Sequence, residues 1–429
     1  MHRFLFVLPV ALAFALTLPA ADWYQFRGPT GQGHAESKNL PTEWSPTKNI
    51  AWRTAVPGLG WSSPVIVAGK VYITTAVPQG EEPKGDPLKA SQSLRTQCLD
   101  AKSGSLVWDV EVFKQDSAKS PGIHFKNSHA SPTPIVEGDK IYVHFGHMGT
   151  ACLNIKDGSQ VWANQTLGYK PAHGNGGSPI IVADKLIYSI DGTDKQAVVA
   201  LDKASGKVAW QTPRNAAPGS KFSFSTPSLI TVDGQEQVIS AGTNVVMALD
   251  PKTGKEFWRV KYSGYSVVPK PVFGNGLVYI CTGYDNPALY AIRVDGKGDV
   301  TDTHVAWTIK KDSMPRNAAP LLLGDALYVV SDGGLLSCLE AKTGKVKWSE
   351  NLARPHTSSP IYAAGLMYLL AEDGTATVFR PGDSYDEVAK NKFSEPGTAS
   401  KYLCLASYAA DGDALFLRTA KALYRIEKK

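Results

Sequence analysis

A short pattern recurs along this chain and constrains its fold more than any other feature. It consists of a small residue, Leu-Asp, a turn with Ser or Thr followed by Gly, and Trp four residues after that Gly, and residues 200–210 are the clearest copy. The Gly-to-Trp spacing recurs in five copies, which end at Trp108, Trp162, Trp210, Trp258 and Trp348. A sixth copy, ending at Trp307, carries an insertion at residues 296–300. A repeated unit of this size must bury its apolar faces against its neighbours, so the pattern predicts a repeat architecture.

Each copy is typical of a tight β-hairpin. Asp202 can accept backbone N–H groups within the turn, and Gly206 supplies the positive φ that a bulged hairpin requires. Trp210 then lies in the outgoing strand. The small residues before Leu-Asp are expected to leave room for a Trp from the neighbouring unit, and they include Cys98, Ala200, Ala248 and Cys338.

A second hairpin precedes each copy, as residues 177–188 illustrate with a strand, a tight turn and a strand. The unit is therefore four short antiparallel strands, here called A to D, and four such strands make a propeller blade. Eight A strands are predicted to begin near Pro64, Pro132, Pro179, Pro227, Pro271, Pro320, Pro360 and Tyr408. The seventh D strand, near Phe393, is degenerate, and no D strand follows the eighth blade's C strand.

The missing D strand is predicted at the other end of the chain, at residues 49–53, where Trp52 would act like the Trp of the other D strands. Closure by this strand removes a free sheet edge. The predicted fold is therefore all-β: an eight-bladed β-propeller of four-stranded antiparallel blades, closed by the N-terminal strand. We expect a single domain over residues 49–429, preceded by a lead-in at residues 22–48. The predicted docking residues are Trp52, Trp108, Trp162, Trp210, Trp258, Trp307 and Trp348.

The pattern small-Leu-Asp-x-x-Ser/Thr-Gly-Lys-x-x-Trp resembles the tryptophan-docking repeat of propellers of the pyrroloquinoline quinone (PQQ) type. That superfamily includes quinoprotein alcohol dehydrogenases and the outer-membrane assembly lipoprotein BamB. The resemblance covers about residues 50–429. Residues 23–29 and 41–44 also resemble the lead-in of secreted bacterial members of this repeat family.

Residues 1–21 are predicted to be a signal peptide. A basic start is followed by an apolar run at residues 4–18, shorter than a typical membrane span, and by small residues at 19–21. An uncleaved anchor is the alternative. No cysteine precedes Cys98, so the lipid-attachment cysteine of BamB-type lipoproteins is missing. We expect a periplasmic or secreted monomer without a membrane span after signal cleavage.

Charge and cysteine usage restrict the partners further. The formal net charge is +6, but the lysines are scattered and form no basic run, so a nucleic-acid partner is not expected. No two cysteines are adjacent and no CxxC occurs, so no metal or redox cysteine motif is present. The cysteines are predicted to be free, small core residues in strands A, B or C of different blades: Cys98, Cys152, Cys281, Cys338 and Cys404.

The connections between strands predict where a site would lie. Because strands alternate in direction, the D–A and B–C loops share one face of the ring, and these loops are longer and more varied than the turns opposite, as residues 76–95 show. Variable loops on a rigid scaffold usually carry binding. The candidate ligand-binding residues on this face, near the central channel, are Trp61, His124, Asn127, His129, His144, His147, His173, Asn175, Arg316, Arg354 and His356.

Five of the nine histidines fall between residues 124 and 173, in loops that share this face. Imidazoles there could bind a metal, move protons or hold an anion, with His129 and His173 as candidate metal ligands. Their spacing matches no metal motif, and hydrogen bonding to loop backbone is the alternative. Arginines lining the channel would favour an anionic ligand or cap strand-end carbonyls.

Three functions are consistent with these observations. The first is an exported, non-catalytic binding or assembly scaffold for a protein, an envelope component or a carbohydrate. The second is a PQQ-dependent quinoprotein oxidoreductase, and the third is a metal-dependent hydrolase that uses the histidines. Fold does not decide among them.

The resemblance to the alcohol dehydrogenases implies a specific cofactor site. Those enzymes stack PQQ between a Trp and a disulfide of adjacent cysteines, with a calcium ion held by carboxylate and amide oxygens and an Asp as base. This chain has no adjacent cysteines, and Trp61 is its best spare aromatic residue. The candidate face is also poor in acidic residues, so PQQ with calcium is the less favoured expectation.

Overall fold

The computed structural model describes residues 22–80, 87–119, 122–216, 222–393, 395 and 403–429, so the predicted signal peptide lies outside the described residues. Within them the strands form eight antiparallel sheets, which are the eight blades of a propeller. Blade 1 comprises β2 (Val65–Val67), β3 (Lys70–Gln79), β4 (Ser91–Asp100) and β5 (Leu106–Gln115). Blade 2 comprises β6 (Ile135–Glu137), β7 (Lys140–His144), β8 (Thr150–Asn154) and β9 (Gln160–Asn164). Blade 3 comprises β10 (Ile180–Val182), β11 (Lys185–Asp191), β12 (Gln196–Asp202) and β13 (Val208–Pro213).

The later blades follow the same order. Blade 4 comprises β14 (Ser228–Val232), β15 (Gln235–Gly242), β16 (Val245–Leu249) and β17 (Glu256–Lys261). Blade 5 comprises β18 (Val272–Gly274), β19 (Leu277–Cys281), β20 (Ala288–Arg293) and β22 (Val305–Lys310). A short strand, β21 (Gly298–Asp299), lies between β20 and β22 in the sequence. Blades 6 and 7 comprise β23 (Leu321–Leu323), β24 (Ala326–Val330), β25 (Leu335–Glu340) and β26 (Val346–Asn351); and β27 (Ile361–Ala363), β28 (Leu366–Leu370), β29 (Thr375–Arg380) and β30 (Asp386–Lys392).

Blade 8 closes the ring with strands from both ends of the described chain. It comprises β31 (Ala409–Asp411), β32 (Ala414–Arg418), β33 (Ala422–Glu427) and β1 (Ile50–Ala55). β1 pairs antiparallel with β33, with Arg53 opposite Tyr424. The predicted closure by the N-terminal strand is therefore confirmed, and β33 has no open edge.

Tryptophan docking joins most neighbouring blades. The indole N–H of Trp210 in blade 3 donates to the Pro251 carbonyl of blade 4 at 3.0 Å, and the ring packs on Gly254, where an added Cβ would lie 2.6 Å from it. Equivalent indole-to-carbonyl bonds of 2.9 to 3.1 Å into the next blade are made by Trp52, Trp108, Trp162, Trp307 and Trp348. The turn glycine thus serves twice, since it takes a positive φ and leaves space for the ring.

The small residue before Leu-Asp has a different role from the one expected. Ala200 lies opposite Trp210 of its own blade, and Cys98 lies opposite Trp108 in the same way. The docking Trp from the preceding blade packs instead on the turn glycine. The small side chain therefore leaves room for the Trp of its own blade, because the indole of that Trp extends across the small residue opposite it.

Blade 4 departs from the docking pattern because of the insertion at residues 296–300. β21 pairs in parallel with β17 and covers the outer edge of that blade. Trp258 is fully buried beneath it, and its indole N–H donates to Gln237 Oε1 at 3.0 Å within the same blade. The insertion therefore replaces the usual turn carbonyl by an extra strand.

Three local expectations need correction. Residues 76–95 are not all loop, since β3 continues to Gln79 and β4 begins at Ser91, which makes a long hairpin. The seventh D strand, β30, is regular and ends before Phe393. Cys404 precedes strand A of blade 8 rather than lying in it, although all five cysteines are buried and free as predicted.

The lead-in residues cross the channel at its A–B end. The Trp23 carbonyl accepts the N–H of Ile66 in blade 1, and the Gly33 carbonyl accepts that of Tyr362 in blade 7. Gln32 Oε1 accepts the N–H of Phe273 in blade 5 at 2.9 Å. These partners lie on the A strands, which form the inner wall of the ring, so the segment forms the floor of the channel.

No helix within the described residues has the length and apolar character that a membrane crossing requires.

Candidate functional site

A cavity of about 930 Å³ opens on the face formed by the D–A and B–C loops, with Phe26 of the lead-in at its floor. This is the face on which the loop lengths predicted a site. Its lining is strongly aromatic, with Phe26, Trp61, Phe125, Phe222, Phe224, Tyr265 and Tyr284. Phe125 and Tyr284 at the rim are 59% and 55% exposed. Such rings can contact an apolar or planar group at low entropic cost.

A ring of hydroxyl groups lines the inner wall of this cavity. It consists of the residues at one equivalent position before strand A in six blades: Ser63, Thr133, Ser178, Thr226, Ser359 and Ser407. Each hydroxyl accepts the backbone N–H of the equivalent residue in the preceding blade, at 2.9 to 3.1 Å. These hydrogen bonds join neighbouring blades at the channel. In blades 5 and 6 the equivalent position is occupied by Lys270 and Ala319, which have no hydroxyl group.

Two of the predicted histidines meet at the wall of the cavity. The rings of His124 and His173 are 5.6 Å apart, and His173 also contacts Phe222 edge-on at 5.1 Å. Asn127 Nδ2 donates to the His173 carbonyl at 2.9 Å, which holds the two loops together. Burial, His173 and Lys126 lower the pKa of His124, so this imidazole is favoured in its neutral form.

Among the polar groups that line the cavity, the Asp332 carboxylate is already engaged, and Glu372 beside the cavity is engaged as well. Asp332 accepts the Arg316 backbone N–H at 2.9 Å and a hydrogen bond from Asn317 Nδ2, so both of its oxygens are used. Burial raises its pKa. Glu372 forms an ion pair with Lys126 at 2.7 Å. Of the predicted residues, the cavity therefore brings together Trp61, His124, Asn127, His173 and Arg316.

Four other predicted residues lie in the structure beside the cavity rather than in its wall. His144 Nδ1 shares a hydrogen bond of 2.8 Å with Thr150 Oγ1, and His147 Nδ1 lies 3.3 Å from Asn175 Nδ2. His129 Nε2 is 2.9 Å from the Leu88 carbonyl. Burial lowers the pKa of His144 to about 3 and that of His147 to about 4, so both are neutral at physiological pH.

The two remaining predictions, Arg354 and His356, also lie outside the cavity wall. His356 is buried and its Nδ1–H donates to the Arg354 carbonyl at 2.7 Å. The Arg354 side chain is about half exposed and lies 3.8 Å from Asp373. These contacts match the alternative in which a loop histidine holds backbone.

The two candidate metal ligands contact different neighbours. His129 faces the Leu88 carbonyl, whereas His173 packs against His124 and Phe222. Across the described ranges, no group of three or more His, Cys, Asp or Glu side chains is arranged to hold a metal ion. The arrangement instead offers aromatic surface, hydroxyl groups and a few cations.

Sequence reasoning missed the most unusual residue of the cavity. Lys270 occupies the hydroxyl-ring position of blade 5, is only 4% exposed, and lies against Gly31 of the lead-in. Arg27, 1% exposed, lies near it and donates to the Pro320 carbonyl at 2.8 Å. The signal was present, because Lys-Pro stands where most blades have Ser or Thr at this position.

Comparison with known proteins agrees with this architecture. The sequence profile of the family described as outer membrane protein assembly factor BamB matches residues 37–166, 194–322 and 299–386, more than half of the chain. The protein of that name from Moranella endobia (strain PCIT) is 22% identical over 289 residues, 66% of this chain and 67% of that protein. The one from Yersinia pestis is 24% identical over 208 residues, 44% of this chain and 51% of that protein. The chain thus spans between half and two thirds of these two relatives.

Dehydrogenases are also among the similar proteins. Quinohemoprotein alcohol dehydrogenase ADH IIB from Pseudomonas putida is 24% identical over 317 residues, 64% of this chain and 42% of that enzyme. Among solved structures, BamB from Moraxella catarrhalis has a TM-score of 0.59 at 14% identity and covers 89% of this chain and 97% of its own. The quinohemoprotein alcohol dehydrogenase from Comamonas testosteroni has a TM-score of 0.65 at 12% identity, covering 94% and 80%. At these identities the structural likeness shows the fold alone.

Proposed function

The chain belongs to the family of outer membrane protein assembly factor BamB, and on this premise we propose that it is an exported, non-catalytic scaffold for the assembly of outer membrane proteins. It would act in the periplasm as a monomer and bind a protein or another envelope component. A carbohydrate is the alternative ligand. The observation that carries the proposal is the match of the family profile over more than half of the chain.

The candidate face suits a binding role. Phe125 and Tyr284 expose large aromatic surfaces at the rim of the cavity, and exposed apolar groups of this size mark interaction sites when they cluster. The Tyr284 N–H donates to the Tyr265 carbonyl at 2.9 Å, and Asn127, close to Phe125 in the same loop, donates to the His173 carbonyl. A partner could therefore bind a preformed surface, which lowers the entropic cost of association.

The test is genetic. Deletion of the gene in the host should lower the amounts of outer membrane proteins, and re-expression of the wild-type chain should restore them. A Phe125→Ser, Tyr284→Ser variant should restore them less well. Leu229→Ser, which changes an exposed apolar residue outside that rim, should restore them fully. Unchanged outer membrane protein amounts after deletion would contradict the proposed role.

A quinone-dependent oxidoreductase is the second candidate, favoured by the dehydrogenases among the relatives. The residues present do not fit the cofactor arrangement that those enzymes imply. The five cysteines are buried and free, and none is adjacent to another, so no cysteine disulfide can stack on a quinone ring. Both oxygens of Asp332 already accept hydrogen bonds, and Glu372 beside the cavity is paired with Lys126. Among the described residues, Asp285 is the one further carboxylate of the cavity lining, which is fewer oxygen ligands than a calcium ion takes. Saturable PQQ binding with calcium and dye reduction with an alcohol or a sugar, lost in Trp61→Ala, would favour this candidate over the scaffold.

A further inference from the structure

The floor of the large cavity contains a buried cation that the proposed scaffold role does not use. Lys270 projects from the position that a hydroxyl group occupies in six of the other blades. It lines both the large cavity and a second cavity of about 470 Å³ on the other side of the lead-in. Its ammonium group therefore lies between blade 5 and the lead-in, with space on two sides.

Among the residues that the structure describes, this ammonium group has no counter-charge. Within the described part of the chain, Lys270 Nζ forms no hydrogen bond and no ion pair, and it packs so closely over Gly31 that a Cβ there would lie 2.5 Å from it. Burying an unpaired ammonium group is costly, so such a residue normally finds a partner. Six other blades have Ser or Thr at this position, so the repeat fold does not require a lysine there.

The neighbouring charge is also positive. Arg27 is buried beside Lys270, and its guanidinium donates only to carbonyl oxygens, those of Gln32, Ala319 and Pro320, while its Nε has no partner in the described structure. The two cations raise the positive potential at the floor, since no carboxylate among the described residues pairs with either. Burial and the nearby Arg27 lower the pKa of Lys270 to about 7.

The other charged groups of the two cavities lie in other elements. In the large cavity they are His124, Lys126, His173, Asp285, Arg316 and Asp332, and in the smaller cavity Asp22 and Glu137. Among these, Asp332 is engaged with Arg316 and Asn317. Within the described residues none of these groups forms an ion pair with Lys270, whereas Arg27 lies beside it.

We propose that Lys270, next to Arg27, is the anchor of an oxyanion site that takes a carboxylate or phosphate group, either as a small free anion or as the charged end of a ligand in the aromatic cavity. The ammonium group would form charge-assisted hydrogen bonds to the oxyanion. The ring of Phe26, next to Arg27 in the lead-in, would contact an apolar body attached to it. This inference goes beyond the scaffold role, and its test requires only purified protein, so its failure leaves that role standing.

The probe is 2-naphthoate, with 2-naphthamide as its uncharged counterpart, and binding is measured by calorimetry at pH 6.5. Saturable binding of 2-naphthoate is expected, at least tenfold tighter than that of the amide. Lys270→Met should weaken naphthoate binding at least tenfold, whereas Lys252→Met, an exposed lysine in a blade 4 turn, should leave it unchanged. Binding should weaken at least tenfold between pH 6.5 and pH 9, because the amine loses its proton while the probe keeps its charge.

Competition with inorganic phosphate separates the two sources of the oxyanion. Displacement of 2-naphthoate would show that a free anion is sufficient, and lack of displacement would show that the apolar body is needed. Both results support the site. Failure of both anions to bind saturably, equal binding of acid and amide, or wild-type affinity in Lys270→Met would overturn it.

A second measurement uses the wild-type protein, so that it does not depend on the folding of a variant. Trace acetylation with acetic anhydride, followed by mass spectrometry, reports the reactivity of each lysine. Saturating 2-naphthoate should lower the acetylation of Lys270 at least fivefold and leave that of Lys252 unchanged. Equal acetylation of Lys270 with and without the probe would contradict the proposal.

Discussion

The indole N–H of Trp210 donates to the carbonyl of Pro251 across the boundary between blades 3 and 4, at 3.0 Å, while its ring covers Gly254. One side chain therefore joins two sheets through a hydrogen bond and an apolar contact. The equivalent hydrogen bond recurs at five other blade boundaries, and the contact with a turn glycine recurs at four of them. Stability of the ring should accordingly depend on these indoles.

Trp210→Ala should lower the free energy of unfolding by about 3 kcal/mol, because it removes a large, partly buried ring and leaves the Pro251 carbonyl without its donor. Denaturant titration followed by far-UV circular dichroism measures the effect. Val208→Ala, at an exposed position of the same strand, is the control and should change the value by less than about 0.5 kcal/mol. A loss below about 1 kcal/mol for Trp210→Ala would show that the indole does not hold the blades together.

Asp191→Asn should be strongly destabilising. Arg214 makes two bonds of 2.7 Å to the Asp191 carboxylate, and both side chains are fully buried. Removing the carboxylate charge leaves a buried guanidinium without its counter-ion, at a cost of about 3–5 kcal/mol. The double variant Asp191→Leu, Arg214→Met should regain much of this loss in the same titration. Equal stability of Asp191→Asn and wild type would refute the assignment.

Acid should destabilise the fold through the buried histidines. The pKa of His144 is lowered to about 3 in the folded protein, against about 6.5 in the unfolded chain, since burial and the nearby His147 disfavour its charged form. Below pH 6.5 the unfolded state therefore binds a proton that the folded state does not. The free energy of unfolding decreases as the pH is lowered from about 6.5 towards about 3. At pH 5 the loss in the free energy of unfolding due to His144 is about 2 kcal/mol relative to neutral pH.

Unfolding titrations at pH 7.5 and pH 5 measure this loss. His144→Gln keeps a polar side chain that can bond Thr150 but cannot take up a proton, so the pH dependence should become shallower. If wild type and His144→Gln lose the same stability between the two pH values, the histidine does not contribute to acid sensitivity.

All five thiols should be titratable in denatured, unreduced protein, because each cysteine is buried and free. In the native protein the reaction with a thiol reagent should be slow, since burial raises the pKa of Cys98 to about 11 and that of Cys281 higher still. Finding three or fewer thiols after denaturation would contradict this reading of the core.

Deletion of residues 22–56 should open the ring. β1 covers the edge of β33, and without it the backbone groups of that strand are free to pair with another chain. Size-exclusion chromatography should then show oligomers or aggregates. A truncated protein that remains monomeric with unchanged melting would disprove the closure role of β1.

The local chemistry of the repeat was readable from the chain alone. The spacing from Gly206 to Trp210 and its copies implied the hairpins, the number of blades and closure by the N-terminal strand, because turn geometry and strand periodicity depend on residues that are neighbours in sequence. The face that carries the cavity followed from strand alternation. The free cysteines followed from their positions in separate blades.

Tertiary structure decided which of the loop residues meet. His124 and His173 come together at the cavity wall, whereas His129, His144 and His147 turn into the body of the protein, and nothing in their spacing separates the two groups. The lead-in could be recognised in the sequence, but its path across the channel could not. Its contacts join Trp23 to blade 1 and Gly33 to blade 7, residues far apart along the chain. The environment of Lys270 depends on that path, because burial and the proximity of Arg27 arise only when the lead-in lies against blade 5.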